Sequence, residues 1–135
     1  MDINFLTAYR NTVSNEGCLS NNKNDSGKLT WKGISIVMHP EWDGWPLVKS
    51  YIARGLVSEI AKDPTIEVKV QVFYYNEFWL KLQCDKIKNP QIASKLFDTA
   101  VNFGNEPAIE FAQRAARINV TGIMDSETIN ALNQI

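Results

Sequence analysis

The sequence predicts an all-α fold in which packed helices form a single compact domain. Two observations carry this prediction: apolar residues recur at helical spacing in several segments, and Gly, Pro or Asn residues interrupt the chain between them. The chain has 135 residues, of which 44% are hydrophobic and 21% are charged. A chain of this size and composition can bury a core without disulfides or a structural metal.

The first helix is predicted over residues 2–15, with Gly17 as its C-terminal stop. Glu16 then lies at the helix end, where the helix dipole is negative and disfavours an ionised carboxylate. Residues 19–28 are rich in Asn, Ser, Asp and Gly and are predicted to form a loop. The helical spacing of the first segment comes from Ile3, Leu6, Tyr9 or Arg10, and Val13.

The chain from Pro46 onward carries further helical patterns. Pro46 suits the first turn of a helix, and the predicted buried stripe of that helix is Leu47, Tyr51, Ile52, Leu56 and Ile60. A later helix is predicted from the spacing of Ile92, Leu96, Phe97, Ala100 and Val101. Asn105 is predicted to cap the next helix, and residues 126–132 are predicted to form a short last one.

Charge and hydropathy exclude several classes of protein. The net charge is −1 and the pI is about 5.8, so no basic field exists to bind nucleic acid. No apolar run approaches the roughly 20 residues that span a bilayer, so we expect no stable membrane insertion. The first residues lack a basic segment followed by an apolar one, which predicts synthesis in the cytoplasm without a signal peptide.

The residue types give little support for a metal site or for catalysis by a serine or cysteine nucleophile. The only histidine is His39, and no Cys-x-x-Cys pair exists, so we predict no metal and no cofactor. His39 precedes a proline in a predicted loop and is interpreted as a surface residue rather than a general base. Cys18 and Cys84 are predicted to be free thiols; a bridge would need their Cα atoms within about 7 Å.

The most informative stretch holds two carboxylates and a hydroxyl. Glu16-Gly17-Cys18 is followed by Asp25-Ser26-Gly27-Lys28, and then by Thr30 and Gly33-Ile34. A pair of carboxyl groups is what hydrolysis of a glycosidic bond requires. One protonates the leaving oxygen, and the other activates water, attacks the sugar or balances positive charge in the transition state.

These motifs resemble glycoside hydrolase family 108, the phage and prophage lysozymes. Two downstream stretches extend the resemblance: Tyr74, Phe78 and Trp79 match a Tyr-x-x-x-aromatic-Trp pattern, and residues 97–104 match an Asp-x-Ala-Val-Asn-x-Gly stretch. The chain departs from the family pattern at Cys18, Ser26 and Lys28. The tail, residues 108–132, resembles a peptidoglycan-binding-type helical segment.

The resemblance implies a lysozyme-like bundle with a catalytic region over residues 1–85 and a C-terminal region over residues 86–135. It implies an N-acetylmuramidase that cleaves the β-1,4 bond between N-acetylmuramic acid and N-acetylglucosamine, in phage or prophage lysis. The expected partners are peptidoglycan strands and a holin or other export helper. We expect a monomer that acts on the cell wall in the periplasm or outside the cell.

The resemblance also suggests roles for individual residues. Glu16 is the expected general acid, and Asp25 is the expected base or charge stabiliser, although Asp-Ser-Gly is also a good turn sequence. Thr30 either orients water or Asp25, or caps a helix. The expected substrate contacts are Tyr74, Trp31 and Asn102, whereas a structural hydrogen bond is expected of Asp98. The motifs leave retention or inversion of the sugar configuration open.

Several alternatives stay open at this level. The altered loop is compatible with a non-catalytic peptidoglycan-binding protein or with a helical secretion-accessory protein. Trp42 and Trp45 are either sugar platforms or local packing anchors, and Lys28 and Lys32 either contact peptidoglycan carboxylates or are solvated. Residues 66–72 alternate like a strand and also fit a helix through Val68, Val72, Tyr75 and Trp79; the resemblance favours helix, which we predict.

Overall fold

A computed structural model describes residues 1–13, 19–21 and 29–135. The chain divides into two compact units. One unit, here called the terminal unit, comprises Met1–Thr12 and Tyr74–Ile135, and the other, the central unit, comprises Val13–Phe73. The described residues are mostly helical, which confirms the predicted all-α class. The predicted functional division between residues 85 and 86 stays a prediction.

The terminal unit contains four α-helices and two shorter helical segments. Helix α4 (Pro90–Phe103) packs against both α1 (Ile3–Thr12) and α5 (Asn105–Ala115). Asn89 caps α4 by accepting a hydrogen bond from the Gln91 amide, and Pro90 occupies its first turn. The elements are α1 (Ile3–Thr12), a π-helix (Tyr75–Leu80), a 3₁₀ turn (Cys84–Lys86), α4 (Pro90–Phe103), α5 (Asn105–Ala115) and α6 (Ser126–Asn133).

Aromatic rings form the core of the terminal unit. Phe5 of α1, Trp79 of the π-helix and Phe97 of α4 are all fully buried or nearly so. Their ring centroids lie 5.6–5.8 Å apart, and each pair meets edge to face, an arrangement that the ring quadrupoles favour. Trp79 is therefore a core residue of the terminal unit.

A buried glutamine holds the segment between α5 and α6. Gln113 is 1% exposed, and its side-chain oxygen accepts hydrogen bonds from the backbone amides of Thr121 and Gly122 at 2.9 and 3.0 Å. Its side-chain nitrogen lies 3.0 Å from the Thr128 hydroxyl and 3.1 Å from the Ile123 carbonyl. One side chain thus satisfies the polar groups of a whole turn, as burial requires.

We predict that Gln113→Leu lowers the free energy of unfolding by about 3 kcal/mol, because two part-buried backbone amides lose their acceptor and the buried Thr128 hydroxyl loses a donor. Thermal unfolding should show a Tm lower by on the order of 10 °C. Gln91→Leu, at an exposed position of α4, is the matched control and should leave Tm nearly unchanged. Equal melting temperatures for the two variants would contradict the role given to Gln113.

The central unit contains a small sheet and two α-helices. The antiparallel strands are β1 (Leu19–Asn21), β2 (Leu29–Trp31) and β3 (Ile34–Ser35), in the order β1-β2-β3. Helix α2 spans Trp45–Ala53, a 3₁₀ segment spans Val57–Lys62, and α3 begins in this unit and spans Pro64–Tyr74. The predicted loop over residues 19–28 is therefore wrong at its start, where β1 lies.

Two tryptophans anchor the segment that leads into α2. Trp42 and Trp45 are 6% and 3% exposed, and their rings meet edge to face at 5.1 Å. The indole of Trp45 donates a hydrogen bond to the His39 carbonyl at 2.8 Å, and that of Trp42 donates to the Lys69 carbonyl at 3.2 Å. Gly44 is needed here, because a Cβ at this position would collide with the Trp42 ring. The packing-anchor interpretation explains both residues.

Helix α2 ends earlier than its apolar pattern suggests. Gly55 adopts a left-handed φ of +70°, and the amides of Gly55 and Leu56 bond back to the carbonyls of Ile52 and Tyr51. These two bonds form a Schellman motif, which terminates the helix. The predicted stripe is consequently wrong in part: Trp45, Val48 and the more distant Ile60 are buried, while Leu56 is 40% exposed.

Residues 66–72 are helical, as predicted, but the predicted buried face is wrong. Ile66, Val70 and Tyr74 are buried, at the spacing of four that places side chains on one helix face. Val68 and Val72 are 55% and 41% exposed. The hydrogen bond from the Tyr51 hydroxyl lowers the pKa of the Asp63 carboxyl. The same carboxylate begins the helix by accepting hydrogen bonds from the amides of Thr65 and Ile66, which lower its pKa further.

The ends of three other predicted helices can be compared with the structure. Helix α1 ends at Thr12, and Val13 lies in a turn, so the predicted helix is too long. Asn105 does not cap α5: it lies inside the helix, and its amide donates a hydrogen bond to the Glu77 carbonyl at 3.0 Å. The predicted last helix is confirmed as α6, which the Asp125 side chain caps.

Candidate functional site

The two predicted carboxylates, Glu16 and Asp25, lie outside the described residues, as does Cys18. In sequence, Glu16 stands between α1 and β1, and Asp25 stands between β1 and β2. Strand pairing joins Asn21 to Leu29, the residues on either side of the segment that contains Asp25. The described residues next to these two positions in sequence belong to the end of α1 and to the small sheet.

Thr30 occupies the middle of β2. It is half-buried, whereas the next residue, Trp31, is 2% exposed. Because side chains alternate between the faces of a strand, Thr30 lies on the face opposite to Trp31. Its register partner on β3 is Ser35. The helix-cap alternative for Thr30 is wrong, because the residue lies in a strand.

A two-residue turn connects β2 to β3. Lys32 and Gly33 both have positive φ, +47° and +83°, and Trp31 pairs with Ile34 across the turn. Two consecutive positive φ values define the type I′ class, which matches the twist of antiparallel strands. The sequence signal for this hairpin was the Lys-Gly pair between apolar residues, but the strands are too short to show alternation.

Lys32 is not simply solvated. Its Nζ lies 3.3 Å from Oε1 of Glu67 on α3, and the two side chains are 19% and 32% exposed. The pair joins the tip of the hairpin to the first half of α3 within the central unit. Sequence reasoning missed Glu67, because 35 residues separate the partners and no local pattern links them.

The structure disfavours Trp31 as a stacking platform for sugar. Its indole is buried, and its Nε1 has no hydrogen-bond partner among the described residues. A ring that is 2% exposed cannot offer a face to a ligand without rearrangement. Its burial together with Ile34 makes it part of the core of the central unit.

Tyr74 is 3% exposed and lies among aromatic rings of the terminal unit. It stacks on Phe78 at 5.5 Å and meets Tyr9 and Phe97 at 6.1 and 6.5 Å. This environment limits any substrate contact by Tyr74 to its hydroxyl. A contact through the ring face would require the stacked neighbours to move.

Asn102 is exposed on α4, and its side-chain amide donates a hydrogen bond to the Asp98 carbonyl one turn earlier. Asn102 is therefore not buried between helices, and its predicted substrate contact stays a prediction. Asp98 accepts a hydrogen bond from the Thr12 hydroxyl at 2.9 Å, which links α4 to α1. This contact supports the expected structural role of Asp98.

The remaining titratable candidates contribute little to a site. His39 lies beside Glu41 at 3.4 Å, and its ring meets Phe73 edge to face. Cys84 is a free, buried thiol whose pKa is raised by burial, which makes it a poor nucleophile. Among the described residues, no group of three metal-ligating side chains occurs, and no helix is long and apolar enough to cross a membrane.

An apolar groove of about 490 Å³ lies in the terminal unit between α4, α5 and α6. Lys95 is the charged residue in its lining. The predicted site residues Tyr74 and Asn102 do not line it. The lining includes Ile92, Leu96, Ala108, Phe111, Ala112, Leu132 and Ile135.

Comparison with known proteins identifies the family. The family model for glycosyl hydrolase 108 matches residues 9–104, a span that contains Glu16, Asp25, Thr30 and Tyr74. The chain belongs to glycosyl hydrolase family 108. It is accordingly a glycoside hydrolase, and membership of this lysozyme-like family supports peptidoglycan as the material on which it acts.

A solved structure shares the fold of this family 108 chain. The structure of Brucella abortus SagA superposes with a TM-score of 0.68 at 21% sequence identity, and the match covers 97% of this chain and 69% of that one. At this identity the similarity shows the fold alone. A search of curated proteins finds no match.

Proposed function

We propose that this protein is an N-acetylmuramidase that hydrolyses the β-1,4 bond between N-acetylmuramic acid and N-acetylglucosamine. The observation that carries the proposal is the family match over residues 9–104, which contains both predicted carboxylates and Thr30. The three residues follow one another in a single stretch of sequence.

In the proposed reaction, Glu16 is the general acid. It donates its proton to the glycosidic oxygen as the bond from that oxygen to the sugar C1 breaks, and positive charge develops on the sugar ring. Asp25 supplies the second carboxylate, which takes a proton from the attacking water or balances the developing charge. Thr30 orients the water or Asp25 through its hydroxyl.

The described structure supports the assignment of Thr30. A short antiparallel sheet holds it in mid-strand, on the face opposite to the buried Trp31. A side chain on a paired strand is held more precisely than one on a loop, and precise placement is what catalysis by orientation requires.

The proposed biological setting is lysis of a bacterial host by a phage or prophage, with a holin or other helper giving access to the wall. The enzyme would act as a monomer in the periplasm or outside the cell. The family resemblance is what suggests this setting. Lysis after coexpression with a holin, and its absence without one, would support it; lysis independent of the holin would contradict it.

Loss of turbidity of purified peptidoglycan tests the proposed hydrolysis. The wild-type protein should clear a suspension of purified walls and release new reducing sugar ends. Heat-denatured protein is the control for settling of the walls. Clearing without new reducing ends would indicate cleavage of the peptide stems or glycan cleavage that forms an anhydro ring, and no clearing at all would contradict the proposal.

We predict that excess EDTA leaves this turnover unchanged, because the mechanism uses carboxyl groups and no metal. The measurement compares initial rates with and without chelator at constant ionic strength. Abolition of activity by EDTA and its restoration by zinc would show that the carboxylate mechanism is wrong.

A further inference from the structure

The hairpin that carries Thr30 has a strained tip. Lys32 adopts a φ of +47°, a left-handed conformation that a residue with a Cβ rarely adopts. Such a conformation persists where the surroundings determine it, and it costs about 1 kcal/mol or more. Contacts of the Lys32 side chain are therefore expected to hold the tip of the hairpin.

One contact of the Lys32 side chain is an ion pair with α3. Nζ of Lys32 lies 3.3 Å from Oε1 of Glu67, and both side chains are largely withdrawn from solvent. Asp63 fixes the start of α3 by bonding its first amides. The hairpin tip is thus tied to a helix whose own N-terminus is held.

The same hairpin places two hydroxyl residues opposite each other. Thr30 of β2 and Ser35 of β3 are register partners, so their Cβ atoms lie about 5 Å apart on one face of the sheet. The Ser35 hydroxyl oxygen accepts a hydrogen bond from the Met38 amide at 3.3 Å. That bond leaves the hydroxyl proton of Ser35 free to be donated.

We propose that the Lys32–Glu67 ion pair is a positioning device that fixes the β2–β3 hairpin against α3 and so sets the position of Thr30 for hydrolysis. This inference rests on the proposed function. Lys32 and Glu67 act through Thr30; neither is assigned a contact with the sugar. Ser35 stands beside Thr30 on the same held hairpin.

The expected changes in Tm and in kcat distinguish a positioning role of the ion pair from a purely stabilising one. A partly exposed ion pair contributes about 0–1 kcal/mol to stability, so its loss should change Tm little. A displacement of a catalytic group by about 1 Å can lower turnover on the order of 100-fold. The proposal therefore predicts a large effect on kcat and a small effect on Tm.

The test compares four variants of the full chain: Lys32→Met, Glu67→Gln, both together, and the charge reversal that combines Lys32→Glu with Glu67→Lys. Met keeps a Cβ at the strained position, so the turn geometry is not itself changed. A matched control is Lys69→Met with Asp43→Asn, which removes a 2.8 Å ion pair that also joins α3 to another segment of the central unit. All variants are assayed for kcat, KM, Tm and amide hydrogen exchange.

We expect each single variant to lower kcat about 10-fold to 100-fold with a smaller change in KM, and the double variant to lose no more than either single one. Charge reversal should restore part of kcat. Exchange of the Ile36 amide, which bonds the Leu29 carbonyl across the hairpin, should become faster. The control variant should keep wild-type kcat.

Two kinetic results would overturn the inference. One is wild-type kcat in both single variants; the other is an equal loss of kcat in the Lys69–Asp43 control. If the wild-type protein does not hydrolyse walls, the proposed function fails. The amide-exchange data then still test whether the ion pair holds the hairpin. Unchanged exchange of the Ile36 amide in both single variants would show that the ion pair does not hold the hairpin.

Discussion

Glu16→Gln is expected to abolish wall hydrolysis while the protein folds normally. Gln occupies nearly the same volume as Glu but cannot deliver a proton to the glycosidic oxygen. Loss of a general acid lowers turnover on the order of 100-fold or more. The measurement is kcat on purified walls, together with Tm by thermal unfolding.

Glu59→Gln provides the control for this variant, because Glu59 lies in a 3₁₀ segment and its carboxylate contacts Lys62 at the surface, at 3.6 Å. It should keep wild-type kcat. If Glu16→Gln turned over at the wild-type rate with unchanged Tm, Glu16 would not be the acid. A large fall in Tm would instead give Glu16 a structural role.

Asp25→Asn is expected to lower kcat strongly and to leave peptidoglycan binding nearly intact. Asn preserves size and most turn hydrogen bonds, but it cannot take a proton or balance positive charge. Because the second carboxylate acts mainly in the transition state, its loss should affect kcat more than KM. Measurements of kcat, KM and sedimentation with insoluble peptidoglycan test this.

The turn-capping alternative for Asp25 makes a different prediction. A cap contributes to stability, so Asp25→Asn would change Tm slightly and leave kcat near normal. That outcome would leave Glu16 working with water held by Thr30. The chain departs from the family pattern at Ser26 and Lys28, which follow Asp25 in sequence. Ser26→Pro combined with Lys28→Gly, which restores the family pattern, is a useful companion variant.

Helices with clear boundary signals could be predicted from the sequence. Helix α4 combines an amphipathic pattern with a proline in its first turn, and its predicted residues Leu96, Phe97 and Ala100 are buried. The buried face of α3 could not be predicted, because apolar residues occupy both of its faces. Only tertiary packing decides between Ile66 with Val70 and Val68 with Val72.

The sheet and the environment of the tryptophans were harder to predict for different reasons. Strands of two or three residues are too short to show alternation, so the hairpin that carries Thr30 left only a turn signal. A tryptophan near a loop can be exposed or buried, and here Trp31, Trp42 and Trp45 are all buried. Long-range pairs such as Lys32–Glu67 depend on the fold and leave no local pattern.

The identity of the sugar at the new reducing end tests the central proposal most directly. Purified peptidoglycan is digested with the protein, the products are reduced with borohydride, and mass spectrometry identifies the reduced sugar. An N-acetylmuramidase leaves N-acetylmuramic acid at the reducing end, so the account predicts its alditol in every product. Reduced N-acetylglucosamine, or products with an anhydro ring that borohydride cannot reduce, would contradict it.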